Sequence, residues 1–100
     1  MFRWMRSVRI AAGKTVPALA WAKEISEYAK KYEGIPSIDV FLDAFGEAGT
    51  IRWMVDYPDL ATLEKTQNQL LADQEYFQKL ESASDLFIEG SAIDIVTRSI

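Results

Sequence analysis

Arginine recurs at every third position of the apolar run "FRWMRSVRI", as Arg3, Arg6 and Arg9. A guanidinium grips a planar carboxylate through a rigid fork of N–H donors. An arginine held among apolar neighbours is therefore a candidate anchor for an anion or a carbonyl. A second candidate is the pair Asp43 and Arg52, in which the arginine would orient an acidic ligand and the aspartate would tune it. A third is Asp39 with Asp56: buried together, one of two facing carboxyls is pushed up in pKa. Two aspartates alone make no cage for a cation, so no metal site is expected. The 100 residues contain no histidine and no cysteine. That excludes Ser-His-Asp and Cys-His catalysis, histidine-bearing zinc sites and histidine-ligated haem. It also leaves no disulfide framework.

Charge and size narrow the partners. The net charge is −4, yet residues 1–14 carry Arg3, Arg6, Arg9 and Lys14 and no acid, so the remainder carries −8. An acidic chain is poorly suited to a phosphate backbone, and no nucleic-acid partner is expected. No apolar run is long enough to span a bilayer, and no secretory signal is visible, so the expectation is a cytoplasmic protein without a membrane partner. The length fits one domain, residues 1–100, and a chain this short gains useful stability from docking with a second copy. The basic start resembles a targeting segment. On a strand, however, Arg3 and Arg9 share one face with Met5 and Ser7, while Arg6 joins Phe2, Trp4, Val8 and Ile10 on the other. The strand reading is preferred because it supplies a fourth strand.

The elements that must position these residues follow from hydrophobic period. Residues 2–10 are β-rich. Residues 15–33 place Ala18, Trp21, Ala22, Ile25, Ala29 and Tyr32 on one helical face, with Thr15 or Val16 as cap and Gly34 as left-handed exit. Residues 37–45 and 50–57 form a hairpin around "GEAG". Its expected register sets Asp43 opposite Arg52, Phe41 opposite Met54, Asp39 opposite Asp56, and Leu42 opposite Trp53. Asp59 caps a second helix, which should break near residues 72–75, where Asp73 caps a further segment. Residues 86–100 read as a last strand with a bulge at Gly90.

The order β-α-β-β-α-β predicts an α+β, ferredoxin-like fold. Its antiparallel sheet, in order 4-1-3-2, carries both helices on one side. The hairpin face carrying Val40, Leu42, Trp53 and Val55 belongs under the helices. The other face would expose Met5, Phe41, Phe45, Met54 and Val96. A patch of that kind calls for cover, and a two-fold homodimer closing an α/β barrel is the simplest one.

Two stretches carry a family resemblance. "FRWMRSVRIAAGK" runs an arginine-bearing strand into a glycine before the first helix. "RWMVDYPDLATLEKTQNQLLADQEYFQKL" joins an aromatic strand to a capped helix, with Asp73, Glu75, Phe77 and Leu80 in its tail. The whole chain resembles the dimeric α/β-barrel superfamily, and within it NIPSNAP-like domains. The resemblance implies a homodimer with a cleft; no cofactor is expected. Several relatives place histidine, asparagine and tryptophan in that cleft. This chain has no histidine, and its one asparagine, Asn68, falls on the second helix. The expected function is binding of a small acidic or aromatic molecule, with Trp4, Arg6, Asp43 and Arg52 as candidate ligand-binding residues. The alternative is a cofactor-independent oxygenase or isomerase acting on an activated aromatic or keto substrate. There Arg6 or Arg52 would stabilise an enolate-like anion, Asp43 would be the base, and Tyr57 or Tyr28 would donate a proton.

Overall fold

The computed structural model describes every residue except 33 and 36. Four strands, β1 (Phe2–Arg9), β2 (Asp39–Leu42), β3 (Thr50–Tyr57) and β4 (Ile93–Arg98), form one antiparallel sheet in the order β2-β3-β1-β4. Read from the β4 edge, the order is 4-1-3-2. Three helices, α1 (Thr15–Ala29), α2 (Leu60–Leu71) and α3 (Gln74–Ser82), complete the chain with a 3-10 turn at Ser84–Leu86.

The alternation of β3 decides which face the helices cover. Ile51, Trp53, Val55 and Tyr57 are all buried, and Tyr57 is only 1% exposed. They pack with Ile25, Leu63 and the small residues Ala18 and Ala22, which let α1 approach the sheet closely. Through the β1 register, Phe2, Trp4, Arg6 and Val8 lie opposite Tyr57, Val55, Trp53 and Ile51, so Arg6 faces the helices.

Asp59 and Asp73 cap α2 and α3, accepting from the backbone N–H of Thr62 (2.7 Å) and Tyr76 (3.2 Å). The break between α2 and α3 falls at residues 72–73, within the expected window and at the Asp73 cap. Helix α1 differs from expectation at both ends. Lys14, not Thr15 or Val16, precedes it and makes no side-chain cap, and its last helical residue is Ala29. Residue 33, the expected end, lies outside the described residues. Gly34 adopts φ +93°, the left-handed exit its position called for.

The hairpin register differs from the expected one by two residues. Leu42 lies opposite Ile51, Phe41 opposite Arg52, and Asp39 opposite Met54. The loop therefore runs through residues 43–49, turning on Gly46 and Gly49 at positive φ. A two-residue slip keeps every side chain on its face, so hydrophobic alternation could not distinguish the two registers. The slip also separates the like charges of Asp39 and Asp56, and Asp56 meets Arg3 directly across β1 and β3. Leu42 shares the helix-side face but sits at the sheet edge, 44% exposed.

The last strand is shorter than expected. Phe87 makes an isolated bridge with Ile10, and Gly90, at φ +78°, lies between it and β4. Val96 lies opposite Trp4, which puts it on the helix side rather than on the open face. Ile93 and Ile95 take its place there. Among the described residues, no helix is long and apolar enough to cross a membrane.

Candidate functional site

A cavity of about 80 Å³ lies between the sheet and the helices. Its walls are mostly apolar, and all three tryptophans of the chain, Trp4, Trp21 and Trp53, line it. Trp21 and Trp53 meet edge to face, with ring centroids 6.2 Å apart. Each indole is pinned by its N–H: Trp21 donates to the Lys79 carbonyl (3.1 Å), and Trp53 donates to Ser26 Oγ (3.2 Å). Ser26 in turn donates back to the Ala22 carbonyl (2.6 Å). These bonds fix α1 against α3 and β3 and hold the wall rigid.

Arg6 is the charged residue in this lining. Strand β1 is central, so Arg6 is held between β3 and β4 and projects toward the helices. Its Nε and Nη2 donate to the two carboxylate oxygens of Asp94 on β4, at 2.7 and 2.8 Å. The side chains of this pair are 33% and 45% exposed, so the pair sits at the rim. Its guanidinium carbon also lies 5.4 Å from the centre of the Trp4 ring. The remaining polar groups around the cavity are Tyr57, Gln67 and Tyr76. A wider groove of about 590 Å³ shares Arg6, Trp21, Trp53 and Leu80 with the cavity and opens beneath Phe87 and Ile88.

Titration directions tell donors from bases. Burial pushes the Tyr57 and Tyr76 hydroxyls up, so both stay protonated at neutral pH. The Arg6 guanidinium, with the Trp4 indole, holds the Asp94 carboxyl below the usual carboxylate range. The cavity therefore presents hydrogen-bond donors, and the carboxylate paired with Arg6 at its rim is ionised. A carboxyl raised toward neutrality, which proton abstraction at pH 7 calls for, is absent from the partners of both Arg6 and Arg52.

The structure divides the four sequence-derived candidates between two faces. Trp4 and Arg6 line the cavity. Arg52 precedes Trp53 on β3 and so projects through the opposite, open face. There it donates to Asp43 at 2.8 and 3.0 Å and holds that carboxyl low. The expected ion pair forms even though the register sets Phe41, not Asp43, opposite Arg52, because an arginine reaches its diagonal neighbour. Asp39 and Asp56 do not face each other. Of the candidate proton donors, Tyr57 lines the cavity, whereas Tyr28 lies outside it, bonded to Asp73 and Lys31. Among the described residues, no three carboxylates gather as a metal cage.

Sequence reasoning missed Asp94, Gln67 and Tyr76. For Asp94 a signal existed. It is the lone acid in the apolar strand "AIDIV", and the order 4-1-3-2 places that strand beside the one whose apolar face carries the single charge Arg6.

No curated protein matches the chain. Solved structures do. A NIPSNAP domain protein from Burkholderia xenovorans superposes with a TM-score of 0.82 at 17% identity, covering 100% of this chain and 95% of that one. A protein from Agrobacterium tumefaciens gives 0.81 at 18% identity, covering 100% and 94%. An antibiotic biosynthesis monooxygenase gives 0.76 at 14% identity, covering 100% and 99%. At these identities the likeness establishes the ferredoxin-like fold alone. The sequence profile of the NIPSNAP family matches residues 4–98, nearly the whole length, and the chain belongs to that family.

Proposed function

We propose that this chain binds a small acidic or aromatic molecule in the cavity between its sheet and helices, and that it does so as a homodimer whose open sheet faces meet. One observation carries the binding reading. Arg6 stands at the rim of an apolar cavity walled by all three tryptophans, with the donors Tyr57, Gln67 and Tyr76 around it. Such a lining offers flat surfaces to a ring and N–H and O–H groups to an acceptor. The cavity sets a size limit. At about 80 Å³ it holds less than the roughly 150 Å³ hole that admits benzene. A ring must therefore extend from the cavity into the wider groove that shares Arg6 with it. Asp43 and Arg52 belong to the open face, and in this reading they lie inside the barrel of the dimer.

The test is native mass spectrometry of protein purified without denaturation, together with thermal shifts across a panel of small carboxylates, ketones and phenols. A retained molecule, or a stabilising panel member whose effect disappears in Arg6→Met, supports the reading. A protein that carries nothing and responds to no panel member sinks it.

A further inference from the structure

We propose that Asp94 is an internal stand-in for the ligand's carboxylate. It occupies the Arg6 fork when no ligand is bound, and a small monocarboxylate with an apolar or aromatic body binds by taking that fork over. The inference rests on the cavity reading above and names both its ligand class and its gate.

Three observations carry it. First, Asp94 takes the Nε and Nη2 donors side-on with both oxygens, at 2.7 and 2.8 Å. That is the bidentate seat a ligand carboxylate would need, and two carboxylates cannot share it. Second, Arg6 borders both the inner cavity and the outer groove, so a carboxylate on it can lay its body in the groove with one edge toward the cavity. Third, the two partners differ in their freedom to move. Arg6 sits on a central strand with neighbours on both sides. Asp94 sits on β4, an edge strand whose six residues are all exposed. Turning Asp94 into water moves no other element. The exchange is favourable because a half-exposed ion pair contributes little. The entering carboxylate replaces that pair and buries its apolar body beside the tryptophans. While Asp94 stays in place it cancels the arginine's charge, and an anion gains little from approaching. The pair therefore acts as a filter that admits a ligand able to displace it.

The experiment follows tryptophan fluorescence, since every tryptophan in the chain lines the cavity. Benzoate is titrated against benzyl alcohol, its uncharged counterpart, into the wild type, Asp94→Asn and Arg6→Met. Asparagine keeps the shape and one acceptor but offers only a neutral partner. We expect Asp94→Asn to bind benzoate roughly fivefold tighter, with benzyl alcohol unchanged within about twofold. Arg6→Met should lose benzoate by about tenfold or more. If Asp94→Asn binds benzoate as the wild type does, or more weakly, the stand-in proposal is overturned, and Asp94 instead holds Arg6 in position. If benzyl alcohol binds while benzoate binds neither the wild type nor Asp94→Asn, the proposal falls and the cavity reading survives. If neither probe binds any variant, both fall. Should Asp94→Asn fail to fold, the wild type decides. Its Asp94 carboxyl carbon resonance should move on saturation with benzoate and not with benzyl alcohol, and a stationary resonance overturns the proposal.

Discussion

Gly34 shows how much a single residue decides here. It leaves α1 at φ +93°, and a Cβ built there would lie 3.0 Å from both Thr62 Cγ2 and Thr66 Oγ1 on α2. Backbone strain and steric crowding therefore act together. Gly34→Ala is expected to cost about 1–3 kcal/mol, or roughly 5–15 °C in the melting temperature of a domain this size. Thermal unfolding followed by circular dichroism measures it, and a variant as stable as the parent would show that the turn relaxes freely. Ser26 decides a second point. It is buried and accepts the Trp53 indole N–H, so Ser26→Ala strands that donor inside the core. A loss of about 1–2 kcal/mol in urea unfolding is expected, and an unchanged midpoint would mean that the indole finds another acceptor. The sequence marks Gly34 plainly, because a glycine after a helical period signals a left-handed exit. It does not reveal the contact with Thr62 and Thr66, which exists only once α2 has packed. Arg6 is the same case. An arginine among Phe2, Trp4 and Val8 is conspicuous as a sequence, but its partner 88 residues away becomes visible only through the strand order.

At the scale of elements, Asp73 holds α3 in place. It caps that helix through the Tyr76 N–H, accepts from the hydroxyls of Tyr28 and Tyr32, and pairs with Lys31 at 3.3 Å. The C-terminal end of α1 and the N-terminal end of α3 thus meet on one carboxylate. Helix α3 buries no residue fully, so this tether is expected to matter more to it than packing does. Since α3 supplies Tyr76 and Leu80 to the cavity wall, loosening it should open the cavity. Asp73→Ala is expected to speed amide exchange across residues 74–82 well beyond any change in α2. Asp73→Asn, which keeps an acceptor for the cap, should give an intermediate rate. Equal exchange in all three proteins would mean that α3 is held by its apolar contacts. The cap at Asp73 is readable from the sequence because capping is local chemistry. The tyrosines that converge on it come from the end of α1 and the turn after it and are not. The hairpin register shows the same boundary. Alternation assigns faces correctly, but turn geometry chooses between registers two residues apart.

For the whole molecule, the distribution of charge sets both acid stability and assembly. Asp43, Asp56, Asp59, Asp73 and Asp94 all have carboxyls held below their ordinary value, each by an arginine, a tyrosine hydroxyl or a backbone N–H. A carboxyl lowered on folding contributes stability above its unfolded pKa of about 3.9, and loses it as the pH falls toward the folded value. With no histidine and no cysteine, no side chain has an ordinary pKa between about 5 and 8. Urea midpoints should therefore be level from about pH 5 to 8 and fall steeply below about pH 4. A step near pH 6.5 would contradict this assignment. The open sheet face raises the question of assembly. It combines the apolar Met5, Phe41, Met54, Ile93 and Ile95 with the ion pairs Arg3–Asp56 and Arg52–Asp43, and Phe41 is 51% exposed. Each arginine on those two pairs is matched within its own chain, so a second copy can cover the face without stranding a charge. The apolar side chains between the pairs supply the drive. Met54→Glu places an unmatched anion opposite Asp39 at the middle of that face while leaving the helix-side core alone. It is expected to turn a dimer at tens of micromolar into a monomer by sedimentation, with the circular dichroism spectrum retained. A wild type that sediments as a monomer at that concentration would show that the face stays open, and the barrel proposal would fail with it.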